Sequence, residues 1–349
     1  MSRTKNRPIG VGVIGAGPVV QAVHLPTLAT LADRLTVTHV MDVDPEVAAS
    51  VAARAGARHS TGLEELLADD NVDVVAVCSP HAFHAEHITA VVAAGKRGIL
   101  CEKPLATTKA EAEHIAKAVS AAAVPIVVGA MHAYDPAWQA AQREWGDLPE
   151  RVHLVRSRIY LPGNDEFIDL ATDPMTAGTA RPAAASGPPP TAAERIRNAV
   201  LGLATHTIPQ LRQFLPGPVQ VIEAHMLSPF GYRLVITGDG RTAELLALLP
   251  GAWEPDWTFE AWAPDARLRM TYPPSFVLAG SATSALTTES AGTRTWQFSV
   301  NGYQAEWLHL ADVVEGRAEP LVGLSPAVAD LVYALDLADG AAALLEDHG

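Results

Sequence analysis

The chain has 349 residues, with 25 basic and 39 acidic side chains and a formal net charge of −14. At roughly 150 residues per domain this length predicts about two domains, and the negative charge, without a cluster of Lys or Arg, argues against binding nucleic acid or an anionic membrane. Hydrophobic residues make up 48% of the chain and charged residues 18%, which excludes disorder for most of it.

Short β-branched runs alternate with longer helical patterns between residues 9 and 128. This alternation predicts a parallel sheet built from βαβ units, and hence a doubly wound α/β domain that binds a nucleotide over residues 1–132. We expect strands over residues 9–14, 36–41, 72–78, 98–101 and 125–128. We expect helices over residues 19–32, 45–55, 63–68, 82–94 and 109–121.

The pattern changes in residues 133–349, where the predicted strands are longer and alternate apolar with polar residues. This alternation predicts an α+β domain with an open, largely antiparallel sheet that has one exposed face. We expect strands over residues 152–160, 219–227, 232–237, 242–249, 258–263 and 268–272. Helices are predicted over residues 136–145, near 194–215, and over 326–345, where the last helix packs back on the body.

Residues 172–193 are dominated by Ala, Pro, Gly and Thr and lack the means to bury a core. This composition predicts a mobile loop, either a surface insertion or a lid over a ligand.

No stretch of the sequence is predicted to enter a membrane. The apolar runs are strand-sized, against the roughly 20 residues of a membrane helix, and residues 1–8 lack an apolar signal core. The two cysteines, Cys78 and Cys101, have no neighbouring His or Cys at zinc-ligand spacing, so we expect reduced thiols and no metal. These features predict a cytoplasmic protein.

A glycine-rich turn follows the first predicted strand. The literal G-x-G-x-x-G match at residues 10–15 falls within that strand, whereas Gly15-Ala16-Gly17 straddles its end and the start of a helix. There, backbone N–H groups and a positive helix end can meet a pyrophosphate. The third position of the motif is Val20, a departure, and glycine turns also arise for structural reasons. The candidate cofactor contacts are Gly15, Gly17, Pro18 and Val19.

Asp42 ends the second predicted strand, at about the spacing that a ribose-binding acid requires. Its carboxylate can accept from the adenosine 2′-hydroxyl and repels a 2′-phosphate, and no Arg or Lys adjoins it. The sequence therefore favours NAD over NADP. The alternative is a turn carboxylate that precedes Pro45.

Three further segments extend the pattern: His24-Leu25-Pro26, Ser79-Pro80-His81 with His84, and Cys101-Glu102-Lys103-Pro104. With the glycine turn they resemble the Gfo/Idh/MocA oxidoreductase family, and Glu-Lys-Pro is the most specific part of the resemblance. It implies an N-terminal Rossmann domain followed by an α/β domain whose open sheet often makes subunit contacts. A homodimer or homotetramer through that sheet is therefore expected.

The resemblance also implies that Lys103 stands beside the nicotinamide and the reacting hydroxyl, with Glu102 anchoring the loop and Pro104 shaping it. Independently, a partly buried ammonium can donate to a substrate oxygen, and desolvation moves its pKa towards neutrality. The resemblance places another group of residues near the pyrophosphate and the nicotinamide ribose. These are Ser79, Pro80, His81 and His84.

His206 lies in a helical pattern, at the position where the family has a histidine that faces the substrate. An imidazole can take the hydroxyl proton near neutral pH. Gly202 replaces the family's common Asp, and Ala133 replaces its common Arg. Both departures concern the substrate side, so proton transfer could instead run through Lys103 or Tyr134.

Other polar residues of the second domain are weaker candidates for a polar pocket: Arg156, Arg158, Tyr160, Arg195, Arg197 and Asn198. Trp253 and Trp257 are expected in sheet packing or in a subunit interface.

The sequence thus predicts an NAD(H)-dependent oxidoreductase that interconverts a secondary alcohol and a ketone. Expected substrates are a polyol or cyclitol, a keto-sugar or a nucleotide sugar, with Lys103 and His206 handling the proton. Two alternatives stay open: a redox-neutral enzyme that oxidises its sugar transiently, and a non-catalytic NAD-binding partner or sensor.

Overall fold

The computed structural model describes residues 7–173, 190–275 and 277–346. Contacts divide the chain into two compact units. The first comprises the described residues of Met1–Gly129, Ala171–Ala185 and Glu306–Pro326. The second comprises those of Ala130–Leu170, Ser186–Ala305 and Ala327–Gly349. Most of the predicted loop, residues 174–189, lies outside the described residues.

The first unit contains a six-stranded parallel sheet in the order β3-β2-β1-β4-β5-β6. Its central strands are buried along their whole length, as expected when helices cover both faces. β3 was not predicted, because it has three residues and two of them are exposed. The strands are β1 Ile9–Ile14, β2 Leu35–Met41, β3 Arg58–Ser60, β4 Val74–Val77, β5 Gly98–Cys101 and β6 Ile126–Val128.

Local signals explain where the helices of the first unit begin. The side chain of Asp44 accepts from the backbone N–H groups of Glu46 and Val47, and Thr108 forms a capping box with Glu111. The helices are Val20–His24 (a π-helical segment), Leu25–Thr30, Pro45–Ala55, Leu63–Leu67, His84–Ala93 and Lys109–Ala122, with a short turn of helix at His81–Phe83.

The second unit contains an eight-stranded sheet in the order β14-β13-β12-β11-β7-β10-β9-β8. All of its strand pairs are antiparallel except β7 with β10. The strands are β7 Leu154–Tyr160, β8 Gln220–Leu227, β9 Gly231–Gly238, β10 Arg241–Leu248, β11 Asp256–Trp262, β12 Ala266–Thr271, β13 Thr283–Thr288 and β14 Gly292–Trp296. The predicted fold class, a doubly wound sheet followed by an open and largely antiparallel sheet, is confirmed.

Helices precede β7, separate β7 from β8 and follow β14 along the chain. They are Met131–Tyr134, Pro136–Glu144, Leu148–Arg151, Asn164–Ala171, Ala192–Leu203, Ile208–Phe214, Gly302–Val314 and Leu324–Glu346, with a short turn of helix at Ala204–His206. Gly302–Val314 was not predicted, and its later residues belong to the first unit, where Leu310 and Val314 lie against Gly98. In the described residues, no helix combines the length and apolar character needed to span a membrane.

Candidate active site

Three loops of the first unit follow adjacent parallel strands. β1, β4 and β5 are neighbours in the sheet, so the segments after them meet at one edge. These segments carry the glycine turn, the Ser79–His84 segment and Glu102-Lys103. In open α/β sheets, this carboxyl edge is where ligands bind.

The glycine turn is shaped to bring backbone close to a ligand. Gly15 has φ +85°, and a Cβ there would lie 2.8 Å from the Cys78 carbonyl oxygen, so only glycine fits. A Cβ at Gly17 would meet no described atom within 4 Å, and the next two residues, Pro18 and Val19, are exposed. This open backbone fits a dinucleotide pyrophosphate, and Gly15, Gly17, Pro18 and Val19 would hold it.

Asp42 lies directly beside this turn. Its carboxylate accepts from the Ala16 N–H at 2.7 Å and from the Asp44 N–H at 3.0 Å. Each carboxylate oxygen has a further lone pair for a ribose hydroxyl. Asp42 therefore stabilises the turn, and its carboxylate is positioned for contact with a nucleotide bound at the carboxyl edge of the sheet.

The segment after β4 is exposed at Pro80 and His81 and buried at both ends. Ser79 Oγ lies 2.8 Å from His87 Nδ1. His84 is fully buried, with Nε2 2.9 Å from the Ser79 carbonyl oxygen and Nδ1 2.9 Å from that of Pro104. The His84 side chain therefore links two loops of the candidate site, and its ring has no surface for a cofactor.

Glu102 and Lys103 follow β5, and the peptide bond between Lys103 and Pro104 is cis. Glu102 Oε2 accepts from the Lys103 N–H at 3.1 Å. Burial lowers the pKa of the Lys103 ammonium, and the Glu102 carboxylate opposes that shift. Burial also raises the pKa of Glu102, but hydrogen bonds from His24 and the Lys103 N–H, together with the charge of Lys103, outweigh it and leave that pKa below its usual value. An ionised carboxylate therefore sits beside a lysine that releases its proton more readily than usual.

The sequence did not predict the residues behind Glu102. His24 Nε2 lies 2.9 Å from Glu102 Oε1, and the Trp307 indole N–H donates to His24 Nδ1 at 3.2 Å. His24 was used only as part of a motif, and Trp307 carried no signal, because it is 283 residues from its partner. Glu306 beside it is fully buried and was missed for the same reason.

The second unit holds the other two predicted catalytic residues. His206 ends the short helical turn Ala204–His206 and is half-buried, with its ring 5.4 Å from that of Trp257. Tyr134 ends the helix Met131–Tyr134 and exposes 1% of its surface.

A buried aromatic cluster supports His206. The His132 ring stacks on Tyr272 at 3.8 Å and donates to the backbone carbonyl of His206. Burial lowers the pKa of His132 to about 3, despite that hydrogen bond, so its ring is neutral at physiological pH. Trp257 belongs to this packing, as one of its two predicted roles required.

The structure does not gather the other polar candidates into one pocket. Arg156 and Arg158 lie on the exposed side of β7, where they pair with Glu244 and Asp256. Arg197 pairs with Asp339 of the last helix. Trp253 is 88% exposed, so its predicted part in a subunit interface stays a prediction.

Groups of three or more His, Cys, Asp or Glu side chains that could hold a metal ion are absent from the described residues. Cys78 and Cys101 are both free thiols whose pKa values are raised by burial and by the Glu102 charge.

Comparison with known protein families gives a match for most of the first unit. Residues 9–130 match the family described as an oxidoreductase family with an NAD-binding Rossmann fold, GFO_IDH_MocA. Residues 9–130, about a third of the chain, are therefore similar to the Gfo/Idh/MocA family. The predicted resemblance is thereby confirmed, and the first unit is an NAD(P)-binding Rossmann fold.

Relatives of the family extend this match. The chain is 38% identical over 141 residues to an inositol 2-dehydrogenase of Saccharopolyspora erythraea, a match that covers 40% of each protein. The chain thus spans well under two thirds of that relative's length.

Two solved structures share the fold along nearly the whole chain. A 3-ketoreductase from Actinomadura kijaniata, in complex with NADP and TDP-benzene, has a TM-score of 0.68 at 20% identity, covering 93% of this chain and 95% of that one. A UDP-N-acetylglucosamine 3-dehydrogenase from Acidithiobacillus ferrooxidans has a TM-score of 0.72 at 17% identity, covering 97% and 99%. At such identities, the likeness establishes the fold alone.

Proposed function

We propose that the chain is a nicotinamide-dependent dehydrogenase or reductase that interconverts a secondary alcohol and a ketone. One observation carries the proposal: Lys103, a partly buried lysine beside an ionised Glu102, follows β5 at the same sheet edge as the open glycine turn. A proton-exchanging group next to a dinucleotide cradle is what alcohol oxidation requires of a protein.

The residues have distinct roles in the proposed reaction. Bound nicotinamide supplies the two-electron oxidation or reduction. Lys103 donates a hydrogen bond to the substrate oxygen, and its lowered pKa makes proton exchange easier than for an exposed lysine. His206 takes the hydroxyl proton during oxidation and returns it during reduction. The alternative proton path runs through Lys103 or Tyr134 in place of His206.

NAD is the proposed cofactor, with NADP second. The Asp42 carboxylate beside the glycine turn supports this order, because its charge disfavours a 2′-phosphate. The solved 3-ketoreductase binds NADP, so the preference has to be measured. Residues 1–132 would form the cofactor domain, with Ser79, Pro80, His81 and Glu102 near the nicotinamide half. His84 would act there through the loops that its ring joins.

The proposed substrate is a polyol or cyclitol, a keto-sugar or a nucleotide sugar. An inositol dehydrogenase among the relatives supports the first class, and the two solved enzymes support the last. Residues 133–349 would select the substrate and, through the open sheet, form a homodimer or homotetramer. We place the enzyme in the cytoplasm.

Cofactor titration followed by a substrate panel tests the proposal. The purified protein is titrated with NAD⁺ and NADP⁺, then mixed with myo-inositol, free sugars and UDP- or TDP-linked sugars while reduced-nicotinamide absorbance is followed. We expect NAD⁺ to bind and at least one substrate to change the absorbance. Absence of cofactor binding would contradict the proposal. A bound cofactor with unchanged absorbance during cleavage of a glycosidic bond would instead identify the redox-neutral alternative, and binding without turnover would favour a sensor.

Gly17→Ala separates binding from folding. Since a Cβ at Gly17 meets no described atom within 4 Å, the fold should tolerate the methyl group, which would enter the cradle and weaken NAD⁺ binding about tenfold or more. Gly323→Ala is the matched control, because its Cβ would make only an ordinary contact, 3.7 Å from Pro326. Equal NAD⁺ affinity in both variants would refute the assignment of the cradle.

A further inference from the structure

A buried chain of hydrogen bonds runs behind Lys103. The Trp307 N–H donates to His24 Nδ1 at 3.2 Å, and His24 Nε2 lies 2.9 Å from Glu102 Oε1. The other oxygen of Glu102 accepts from the Lys103 N–H at 3.1 Å. The chain thus joins the helix Gly302–Val314, the segment Val20–His24 and the end of β5.

The direction of these bonds is fixed. An indole N–H can only donate, so His24 Nδ1 must accept and the ring proton must lie on Nε2, aimed at the carboxylate. Trp307 and the His24 side chain are fully buried, so water does not compete for these partners. In many metal and catalytic sites, too, a hydrogen bond to one histidine nitrogen fixes the tautomer and so orients the group that the other nitrogen contacts.

We propose that His24 and Trp307 are positioning residues for Lys103, which they orient and tune through Glu102. His24 donates to one Glu102 oxygen, and the other oxygen accepts from the Lys103 N–H. The two bonds hold the negative charge of Glu102 next to the loop that carries Lys103. The proposal rests on the proposed function only in treating Lys103 as the proton-handling group. In this role neither His24 nor Trp307 contacts the substrate.

The charged and titratable groups around Lys103 and Glu102 decide whether loss of the His24 bond raises or lowers the pKa of Lys103. Glu102 faces Lys103 from the same segment, and His81 faces it from the loop after β4. The groups that interact with the Glu102 carboxylate are His24, Glu306, Cys78 and Cys101. Among these, only ionised Glu102 favours the ammonium form of Lys103.

Loss of the His24 donor therefore lowers the proton affinity of Lys103. Burial has the largest effect on the pKa of Glu102 and raises it. The hydrogen bond from His24 is the largest of the effects that lower this pKa. Without that bond the pKa of Glu102 rises, so Glu102 takes up a proton more readily and its charge stabilises the Lys103 ammonium less. A variant that merely loosened the loop would do the opposite, since water would return the lysine towards its ordinary pKa.

Competitive acetylation of the intact protein measures this directly. Trace acetic anhydride is applied across a pH series, and the extent of labelling at each lysine is read by mass spectrometry of peptides. The exposed Lys117 serves as internal reference. In His24→Leu we expect the Lys103 labelling midpoint to fall by about one pH unit, since a near charge is worth about that or more. Trp307→Phe, which keeps an aromatic ring but removes the N–H donor, should lower the midpoint by a smaller amount.

Three controls keep the test decisive. His24→Gln restores an N–H donor and should recover the wild-type midpoint, whereas Glu102→Gln should lower it at least as far as His24→Leu. His114→Gln, on an exposed helix position, should leave it unchanged. A midpoint that rises or stays fixed in both His24→Leu and Trp307→Phe overturns the proposal. Labelling needs no turnover, so this result is independent of whether the enzyme's substrate has been found.

Discussion

Glu306 gives the structure its sharpest prediction about stability. The residue is fully buried, and neither of its carboxyl oxygens has a hydrogen-bond partner among the described residues. Burial, with the Glu102 charge as a second cause, raises the pKa of Glu306 well above its usual value. The folded protein therefore keeps this proton at a pH where the unfolded chain has lost it.

The sign and size of the effect follow from linkage. A group whose folded pKa is raised contributes full stability below its unfolded pKa and loses that contribution as pH rises towards the folded pKa. The loss is about 1.4 kcal/mol per pH unit. At pH values between its unfolded pKa and its raised folded pKa, Glu306 should therefore cost the first unit about 1.4 kcal/mol for each pH unit of increase. Glu306→Gln removes this dependence, so its advantage over wild type should grow by the same amount over that interval.

Native-state hydrogen exchange provides the assay. Peptides that contain β1 and β4 report the opening free energy of the first unit, and mass spectrometry follows them at several pH values after correction for intrinsic exchange. Glu65→Gln is the control, because Glu65 is exposed on the helix Leu63–Leu67. A Glu306→Gln variant whose pH dependence matches that of wild type would show that the carboxyl is ionised when folded, and would refute the reasoning.

Three other predictions each concern the substitution of one residue. Asp42→Asn keeps an acceptor for the Ala16 N–H but removes the charge, so the preference for NAD⁺ over NADP⁺ in titrations should fall about tenfold. Hydrogen bonds and the Arg58 charge outweigh the effect of burial and lower the pKa of Asp69 to about 2. In acid denaturation, wild type should therefore lose stability as pH falls from about 4 to 2. Asp69→Asn should lack that loss. Gly15→Ala should destabilise the protein by about 1–2 kcal/mol or more in thermal unfolding, because of its positive φ and the close Cys78 carbonyl.

Much of the first unit could be predicted because its strands are apolar and its turns are marked. The runs that became β1, β4 and β5 are β-branched or aliphatic and buried, and parallel topology alone brings the segments after them to one edge. β3 escaped prediction because it is short and two of its three residues are exposed. β13 escaped because Thr, Ser and Ala make up most of it, and β14 escaped because it has a single apolar side chain, Trp296, after exposed Gly, Thr and Arg residues.

The candidate site was predictable in its motifs but not in its support. Glu102 and Lys103 stand next to each other in the sequence, whereas the Trp307 that fixes His24 is 283 residues away. Burial of a glutamate such as Glu306 also cannot be read from sequence, since carboxylates usually lie at the surface. Arg156 and Arg158 show the converse: their polarity suggested a pocket, but strand alternation places them on the exposed face.

Lys103→Ala is the measurement that bears most directly on the central claim. Wild type and variant are compared for NAD⁺ binding and for nicotinamide reduction on the most active substrate of the panel. We predict that the variant binds NAD⁺ almost as well as wild type but loses turnover by about 10²–10⁴-fold, the usual worth of a positioned acid or base. Turnover close to that of wild type, in a variant that is folded and binds NAD⁺, would contradict the account.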